Sequence, residues 1–229
     1  MKSNYVGHQE LIILDKIINY NTSIINQFEP YTKNAKKILD FGAGIGTLSK
    51  LYLKKYNILP DTFEVDQLQY NILSDNGYNC YNNLTQIEDE SYDFIFSSNV
   101  FEHIENDNQV FIDLFSKLKR GKYICLYLPA NNKLWTDLDN KVQHFRRYDK
   151  KLLYSLISNT NNKIDQLIYC DQIGYFIIYI YKFFNFKINI LSSKTLNIYD
   201  NLIFKLNFLF PNYFKKHFGK NIFVAIKKL

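Results

Sequence analysis

The sequence predicts an α/β protein built on a doubly wound parallel sheet. Short apolar runs typical of buried strands alternate along the chain with segments of about ten residues at helical spacing, which is the pattern of βαβ units. The first strand, residues 36–41, leads directly into the turn Gly42-Ala43-Gly44-Ile45-Gly46. Ligands of such sheets bind at the carboxyl ends of the strands, so this turn indicates a candidate binding site.

The segment before the first strand, residues 8–29, carries apolar residues at mostly helical spacing, which predicts one or two helices ending at Pro30. Periodicity then predicts, in order, a helix over 47–56, a strand over 61–65, a helix over 68–76 and a short strand over 79–81. The second half continues with a strand over 92–99, a helix over 108–118 and a strand over 122–128 closed by Pro129. The 92–99 strand is apolar enough to lie at the centre of the sheet.

Composition and charge are those of an ordinary globular domain. The chain has 229 residues, 47% of them hydrophobic and 22% charged, with a net charge of +6, so one domain is expected. Scattered lysines do not require a nucleic acid partner, and none is expected. Three cysteines, Cys80, Cys125 and Cys170, have neither pairing nor metal spacing, which predicts buried thiols in a reducing compartment. With no apparent signal segment or spanning run, a cytoplasmic location is expected.

The spacing of the glycines in this turn limits the kind of ligand that it can bind. A dinucleotide site has the pattern G-x-G-x-x-G, whose last glycine would fall on Thr47, whereas this chain has G-x-G-x-G. Asp40, two residues ahead, is suited to an ammonium group, and the N-terminus of the next helix is suited to a carboxylate. A ligand with both groups, such as the methionine half of S-adenosylmethionine, therefore fits Asp40, Gly42, Ala43, Gly44 and Gly46. The alternative is a plain structural turn.

Other cofactor contacts are expected at the ends of the following strands. An acid about twenty residues after the glycines can accept hydrogen bonds from ribose hydroxyls; Glu64 and Asp66 both have that spacing, and Glu64 is favoured over an exposed carboxylate at a strand end. Asn83 and Leu84 stand where an adenine could be bound and covered. Because Asn99 ends the fourth strand, Gly42, Glu64, Asn99 and Pro129 are expected to converge on one crevice.

Three segments in order resemble the class I S-adenosylmethionine-dependent methyltransferases: Leu39-Asp40-Phe41-Gly42-Ala43-Gly44-Ile45-Gly46, Glu64-Val65-Asp66, and residues 92–104. A narrower resemblance, to a bacterial subgroup associated with glycan assembly, rests on Pro129-Ala130, Asp137, Asp139 and His144-Phe145-Arg146-Arg147-Tyr148. It extends to Asn19-Tyr20-Asn21, Tyr199-Asp200 and Gly219-Lys220-Asn221, and so covers almost the whole chain.

The resemblance implies a Rossmann-like, seven-stranded sheet with S-adenosylmethionine as cofactor. Residues 164–170 would be the sixth strand and 222–227 the last, antiparallel one. The expected division of the single domain is an N-terminal helical segment (1–35), a cofactor-binding core (36–170), a helical cap (171–220) and the last strand (221–229).

Acceptor chemistry is expected on the far side of the crevice. A hydroxyl acceptor benefits from a base of near-neutral pKa, and the candidates are His103, after the fourth strand, and His144. Arg146 and Arg147 could hold a phosphate or carboxylate on the acceptor, with Tyr148 and Trp135 nearby. The structural alternatives are a helix-start histidine at 103 and a loop salt-bridged through Asp137 or Asp139.

No metal is expected. Some quinone-pathway methyltransferases carry an E-x-x-E-H cluster at this corner, but here Asn99 stands at its first position. Glu102 and His103 alone provide too few ligands.

Residues 175–191 are unusually aromatic. They could form a buried helix of the cap, a homodimer contact or a surface lying on a membrane. The segment over 199–210 is expected to complete a small lid on the acceptor side.

The expected function is methyl transfer to an oxygen of a small-molecule or glycan acceptor. One alternative is a non-catalytic S-adenosylmethionine-binding partner of a glycosyltransferase. Another is a nucleotide-sugar oxidoreductase, disfavoured because Tyr148 and Lys151 are one residue short of a Tyr-x-x-x-Lys pair.

Overall fold

In the computed structural model, which describes residues 12–184 and 192–229, a seven-stranded sheet runs through the molecule in the order β3-β2-β1-β4-β5-β7-β6. The strands are β1 Ile38–Phe41, β2 Asp61–Phe63, β3 Cys80–Tyr81, β4 Tyr92–Ser98, β5 Leu118–Pro129, β6 Asn162–Cys170 and β7 Asn221–Lys228. Neighbouring strands are parallel except β7, which is antiparallel to both β5 and β6. This confirms the predicted doubly wound, Rossmann-like fold with an antiparallel last strand.

Helices cover both faces of the sheet. They are α1 Ile18–Phe28, α2 Thr47–Tyr56, α3 Gln67–Asp75, α4 Asp107–Ser116, α5 Asp137–Lys141, α6 Lys150–Ile157, α7 Gln172–Phe183 and α8 Ser193–Ile198. One hydrophobic cluster packs α4 and α6 on one face, and a second packs α1 on the other. All four residues of β1 are buried, as expected for a strand with both faces covered.

Most predicted elements lie within one or two residues of their observed bounds, and β5 is the largest departure. It begins at Leu118 rather than at residue 122, and α4 accordingly ends at Ser116 rather than at 118. Lys119, Arg120, Gly121 and Lys122 interrupt the apolar signal, yet the strand continues through them, with a register irregularity against β4 between Tyr92 and Phe94. The register pairs Leu118 with Tyr92 and resumes at Tyr123, so a single pair at Leu118 extends β5 beyond its hydrophobic pattern.

The predicted cap segment exposes its aromatic residues. In α7 only Gln172 and Gly174 are buried; Phe176, Tyr179 and Phe183 are 41%, 52% and 74% exposed, and Phe184, directly after the helix, is 59% exposed. A buried cap helix is therefore the wrong interpretation for residues 175–184; residues 185–191 lie outside the described part of the chain, as do residues 1–11 of the N-terminal segment. The homodimer and membrane contacts stay predictions. Within the described ranges, every helix is too short or too polar to cross a membrane.

The thiol prediction holds in part. Cys125 is buried, whereas Cys80 and Cys170 are partly exposed, and all three are free thiols. Cys80 lies in the edge strand β3 and Cys170 in the edge strand β6, and an edge strand has a neighbour on one side only.

Polar contacts join α1 to the cap segment and to Lys220, the residue before β7. Asp200 accepts hydrogen bonds from the backbone amides of Asn19 (3.0 Å) and Tyr20 (2.8 Å) in the first turn of α1. Asp171 accepts from Tyr199 and forms an ion pair with Lys220 (3.0 Å). We call Asn19, Tyr20, Asp171, Tyr199, Asp200 and Lys220 the cap latch. The three outlying segments of the sequence resemblance thus meet at one place.

Candidate active site

The glycine turn lies where the ends of β1, β2 and β4 meet. Gly42, Gly44 and Gly46 have φ angles of 77°, 58° and 84°, the left-handed region that glycine adopts most readily. A Cβ on Gly42 would lie 2.3 Å from a methyl carbon of Val100, just after β4. The amides of Gly42 and Ala43 donate to the carbonyl of Phe63 in β2, at 2.8 and 3.1 Å. The turn therefore packs bare backbone against two neighbouring strands.

Glu64 joins the end of β2 to this turn. Its Oε2 accepts from the amide of Gly44 (2.9 Å), and its Oε1 from the amides of Val65 (2.8 Å) and Asp66 (2.9 Å). Burial raises the pKa of Glu64, although these amide hydrogen bonds oppose the rise. A carboxylate has about four acceptor positions, so roughly one remains for a ribose hydroxyl. Asp66 instead caps α3, accepting from the amides of Leu68 and Gln69.

Asp40 lies beneath the turn and is 2% exposed. Its carboxylate accepts from the hydroxyl of Ser49 in α2 at 2.7 Å. Burial raises the pKa of Asp40 to about 7, against the lowering effect of the Ser49 hydrogen bond, and the negative charge of Glu64 adds to the rise. A nearby cationic group would stabilise the ionised form, which is the property expected of a partner for an ammonium group.

A carboxylate of the chain itself lies at the N-terminus of α2, the position predicted for a ligand carboxylate. The hydroxyl of Thr47, the first residue of α2, donates to Asp15 Oδ1 at 2.5 Å. Sequence reasoning missed Asp15 because no motif surrounds it and 32 residues separate it from Thr47.

The end of β4 turns sharply at Asn99, which has a φ of 54°. Its amide donates to the carbonyl of Tyr127 in β5 (2.8 Å), and its side-chain oxygen accepts from Asn221 of β7 (3.4 Å). Asn83 caps the short turn Leu84–Gln86, and Leu84 packs against the larger hydrophobic cluster. The glycine turn contacts Glu64 and Val100, and Asn99 contacts β5. These contacts show that the ends of β1, β2, β4 and β5 converge.

Carboxylates hold each polar side chain of the His144-Phe145-Arg146-Arg147-Tyr148 segment. Arg147 forms two hydrogen bonds with Asp139 (2.8 and 3.0 Å) and is buried. Arg146 Nη1 lies 2.6 Å from one oxygen of Asp107, whose other oxygen accepts from the Tyr148 hydroxyl at 2.6 Å. Burial and the Asp107 hydrogen bond raise the pKa of Tyr148 far above its usual value.

The salt-bridged loop, the structural alternative at this segment, is confirmed for Arg147 and Asp139, whereas Arg146 pairs with Asp107 instead of Asp137 or Asp139. Trp135 donates from its indole to Asn140 (2.8 Å). An acceptor role for Trp135, Arg146, Arg147 and Tyr148 stays a prediction.

Asp139 also orients His144, with 2.8 Å between Oδ1 and Nδ1. Burial alone would raise the pKa of Asp139, but the hydrogen bonds from His144 and Arg147 hold it far below its usual value. An ionised carboxylate only accepts, so Nδ1 carries a proton, and in the neutral ring Nε2 would carry the lone pair.

His144 Nε2 faces the buried carboxyl of Glu102, 3.8 Å away. Glu102 is 0% exposed, and neither of its oxygens has a hydrogen-bond partner within the described part of the chain. Burial raises the pKa of Glu102 to about 8.

His103 completes this cluster, its ring centroid 4.6 Å from that of His144. Burial and then the neighbouring His144 lower the pKa of His103 to about 4, which makes it a weak base near neutral pH. One ligand atom from each of Glu102, His103 and His144 lies within 4.8 Å of the others. The expectation of no metal rested on Glu102 and His103 alone, and His144, 41 residues further on, provides the third candidate ligand.

Comparisons with known proteins support the predicted family and fold. A family model described as a methyltransferase domain matches residues 14–167. No curated protein matches the chain in sequence. Among solved structures, the chain is similar to a SAM-dependent methyltransferase from Archaeoglobus fulgidus, with 16% identity and a TM-score of 0.59 over 90% of this chain and 92% of that one.

Two further similarities involve methyltransferases of phosphorylated compounds. Geranyl diphosphate C-methyltransferase from Streptomyces coelicolor A3(2), in complex with Mg²⁺, geranyl-S-thiolodiphosphate and S-adenosyl-L-homocysteine, has 7% identity and a TM-score of 0.64 over 91% of this chain and 76% of that one. Phosphoethanolamine N-methyltransferase 2 from Haemonchus contortus, in complex with S-adenosyl-L-methionine, has 16% identity and a TM-score of 0.57 over 92% of this chain. The match spans 52% of the Haemonchus protein. At these identities the likeness is one of fold.

Proposed function

Because this chain belongs to the methyltransferase-domain family, we propose that it transfers a methyl group from S-adenosylmethionine to an oxygen of a sugar, nucleotide sugar or other phosphorylated or acidic small acceptor in glycan assembly. The observation that carries the proposal is the junction of the glycine turn with Glu64, through the 2.9 Å hydrogen bond from Gly44. Beneath that junction lies Asp40, a buried carboxylate.

The residues of the turn fit this cofactor. Asp40 would hold the amino group and Glu64 a ribose hydroxyl, while the turn admits the cofactor where a side chain would obstruct it. The full proposed set is Asp40, Gly42, Ala43, Gly44, Gly46, Glu64, Asp66, Asn83, Leu84 and Asn99. The sulfonium supplies an activated methyl group, so the main task of the protein is to align the acceptor with it.

The acceptor side of the proposed site is the His103–His144 corner. It begins at Phe101, directly after Val100, which contacts Gly42. The Nε2 lone pair of His144 would then accept the proton of the acceptor hydroxyl. The phosphorylated acceptors named for two of the similar structures support an acceptor of that class. The subgroup resemblance of the His144–Tyr148 segment supports a glycan one.

Calorimetry with two cofactors tests the first half of the proposal. We expect saturable binding of S-adenosylmethionine and none of NAD. Asp40→Ala and Glu64→Ala should abolish that binding, whereas His144→Ala should leave it intact. Saturable binding of NAD alone would favour the oxidoreductase alternative and overturn the proposal.

A screen of sugar nucleotides and glycan intermediates for release of S-adenosylhomocysteine tests the second half. Turnover with one acceptor, slowed by His144→Ala at unchanged cofactor affinity, is the expected result. Cofactor binding with no turnover across the screen would favour the non-catalytic partner of a glycosyltransferase.

A further inference from the structure

We propose that Glu102, His103 and His144 form a binding site for one divalent first-row transition metal ion, of the Zn²⁺ or Co²⁺ type. The inference does not depend on methyl transfer. It changes the role of His144 from a base to a metal ligand, because an ion bound to Nε2 would occupy the lone pair with which a base accepts a proton.

The strongest sign of a cation is the carboxyl of Glu102. A buried carboxylate without a partner costs several kcal/mol, and such groups usually pair with a charge or bind a metal. Both Glu102 oxygens lack a hydrogen-bond partner among the described residues, and His144 Nε2 lies 3.8 Å from Oε1. An ion between these atoms would satisfy the carboxylate.

The two histidines are oriented as metal ligands usually are. A metal-bound histidine commonly donates its other ring N–H to a carboxylate or a backbone carbonyl. His144 donates from Nδ1 to Asp139 (2.8 Å), and His103 hydrogen-bonds the backbone of Val142. Each interaction fixes the ring and occupies one nitrogen as a donor, so the other carries the lone pair that an ion can accept.

Distances and charge also suit an ion. Zn²⁺ holds such ligands at about 2.0–2.2 Å, so donors now within 4.8 Å of one another would draw in by roughly 1 Å. The charged groups nearby are Glu102, Asp139 and Arg147, and Asp139 pairs with Arg147. With neutral imidazoles, a net negative charge remains on ionised Glu102. Two imidazoles and one carboxylate favour a transition ion over Mg²⁺ or Ca²⁺, which prefer oxygen ligands.

The experiment measures metal binding directly, without turnover. The full chain is stripped with EDTA, dialysed and titrated calorimetrically with ZnSO₄, and then with CoCl₂ while the visible spectrum is recorded. We expect one ion per chain, a Co²⁺ absorption band that Zn²⁺ displaces, and no saturable binding of Mg²⁺. Failure of the unmodified chain to take up a stoichiometric ion, or saturation with Mg²⁺ instead, would overturn the inference even if the variants below do not fold.

Variants with matched controls assign the site. Glu102→Gln and His144→Gln should each weaken Zn²⁺ binding at least 100-fold, and Asp139→Asn about 10- to 100-fold through His144. The controls Glu105→Gln and His217→Gln change exposed residues outside the cluster and should bind as the unmodified chain does. If His217→Gln removes the ion and His144→Gln does not, the ion lies elsewhere and the assignment is wrong.

Discussion

At the scale of single residues, Asp40 couples the proposed cofactor site to pH. Its pKa is raised to about 7 by burial, the largest cause, so the folded chain holds a proton there that the unfolded chain releases near pH 4. This contribution to the free energy of unfolding is present below about pH 4 and is lost as the pH rises to about 7. An ammonium group bound beside Asp40 would favour the ionised form.

We therefore expect S-adenosylmethionine to bind about tenfold more weakly for each pH unit below 7, with release of a proton on binding. Calorimetry in two buffers of different ionisation enthalpy measures that release. Asp40→Asn is the control, and any binding that it retains should be weak and should release no proton. Equal proton release at about pH 6 and about pH 8 would contradict the assignment of Asp40.

The residues that sequence reasoning could locate are those fixed by local spacing. Asp40, Gly42 and Glu64 follow from their distances to strand ends, because a strand that runs into a turn orients its last residues predictably. The bond from Arg147 to Asp139, and the approach of His144 to Glu102, depend on how two loops pack. Spacing does not encode that packing: Asp139 was one of two carboxylates considered for the arginines, whereas Asp107 as the partner of Arg146 and His144 as the third member of the Glu102 cluster emerged only in the folded chain.

At the scale of elements, the junction between β6 and β7 leaves no room for a side chain. A Cβ on Gly219 would lie 2.3 Å from the carbonyl oxygen of Cys170 and 2.8 Å from its nitrogen. Both are backbone atoms of β6 and cannot rotate away. Gly219 also directly precedes Lys220, whose carbonyl accepts from the amide of Ala130 at 2.8 Å.

We expect Gly219→Ala to lower the free energy of unfolding by about 3 kcal/mol, the upper end for overpacking. Denaturant titration measures the loss. Gly121→Ala is a matched control: Gly121 has a φ of 74° but no atom within 4 Å of an added Cβ, so about 1–2 kcal/mol of backbone strain alone is expected. A smaller loss for Gly219→Ala than for Gly121→Ala would show that the junction relaxes.

Element bounds were predictable where local signals are strong. Residues 47–56 were predicted for α2 and match its observed bounds, because glycine lies before the helix and Asn57, in a left-handed conformation, after it. The exposed face of α7 was not predictable. An apolar run has the same sequence pattern whether it packs against the core of its own chain or against another surface.

At the scale of the whole molecule, the alternation of strands and helices predicts the parallel half of the sheet. The antiparallel direction of the last strand followed only from the resemblance to methyltransferases, and its position between β5 and β6 appeared only in the folded chain. Strand order depends on long-range pairing: Asn221 pairs with Pro129 on one side and with Cys170 on the other. No periodicity within a single strand records such partners.

The cap latch joins the two ends of the chain, and Asp200 is the residue that tests it. Asp200 is 2% exposed and accepts from two first-turn amides of α1, so a residue about 180 positions away caps this helix.

Asp200→Ala should leave these amides unpaired, with a loss of about 1–2 kcal/mol in the free energy of unfolding, and should free residues 199–210 from α1. Hydrogen exchange should then be faster in the first turn of α1 and in 199–210, while β1 and β4 keep their protection. Asp75→Ala, at an exposed carboxylate in α3, should change neither region. Unchanged exchange in Asp200→Ala would mean that apolar packing, such as that of Phe204 against Tyr20 (ring centroids 5.3 Å apart), holds the cap without the latch.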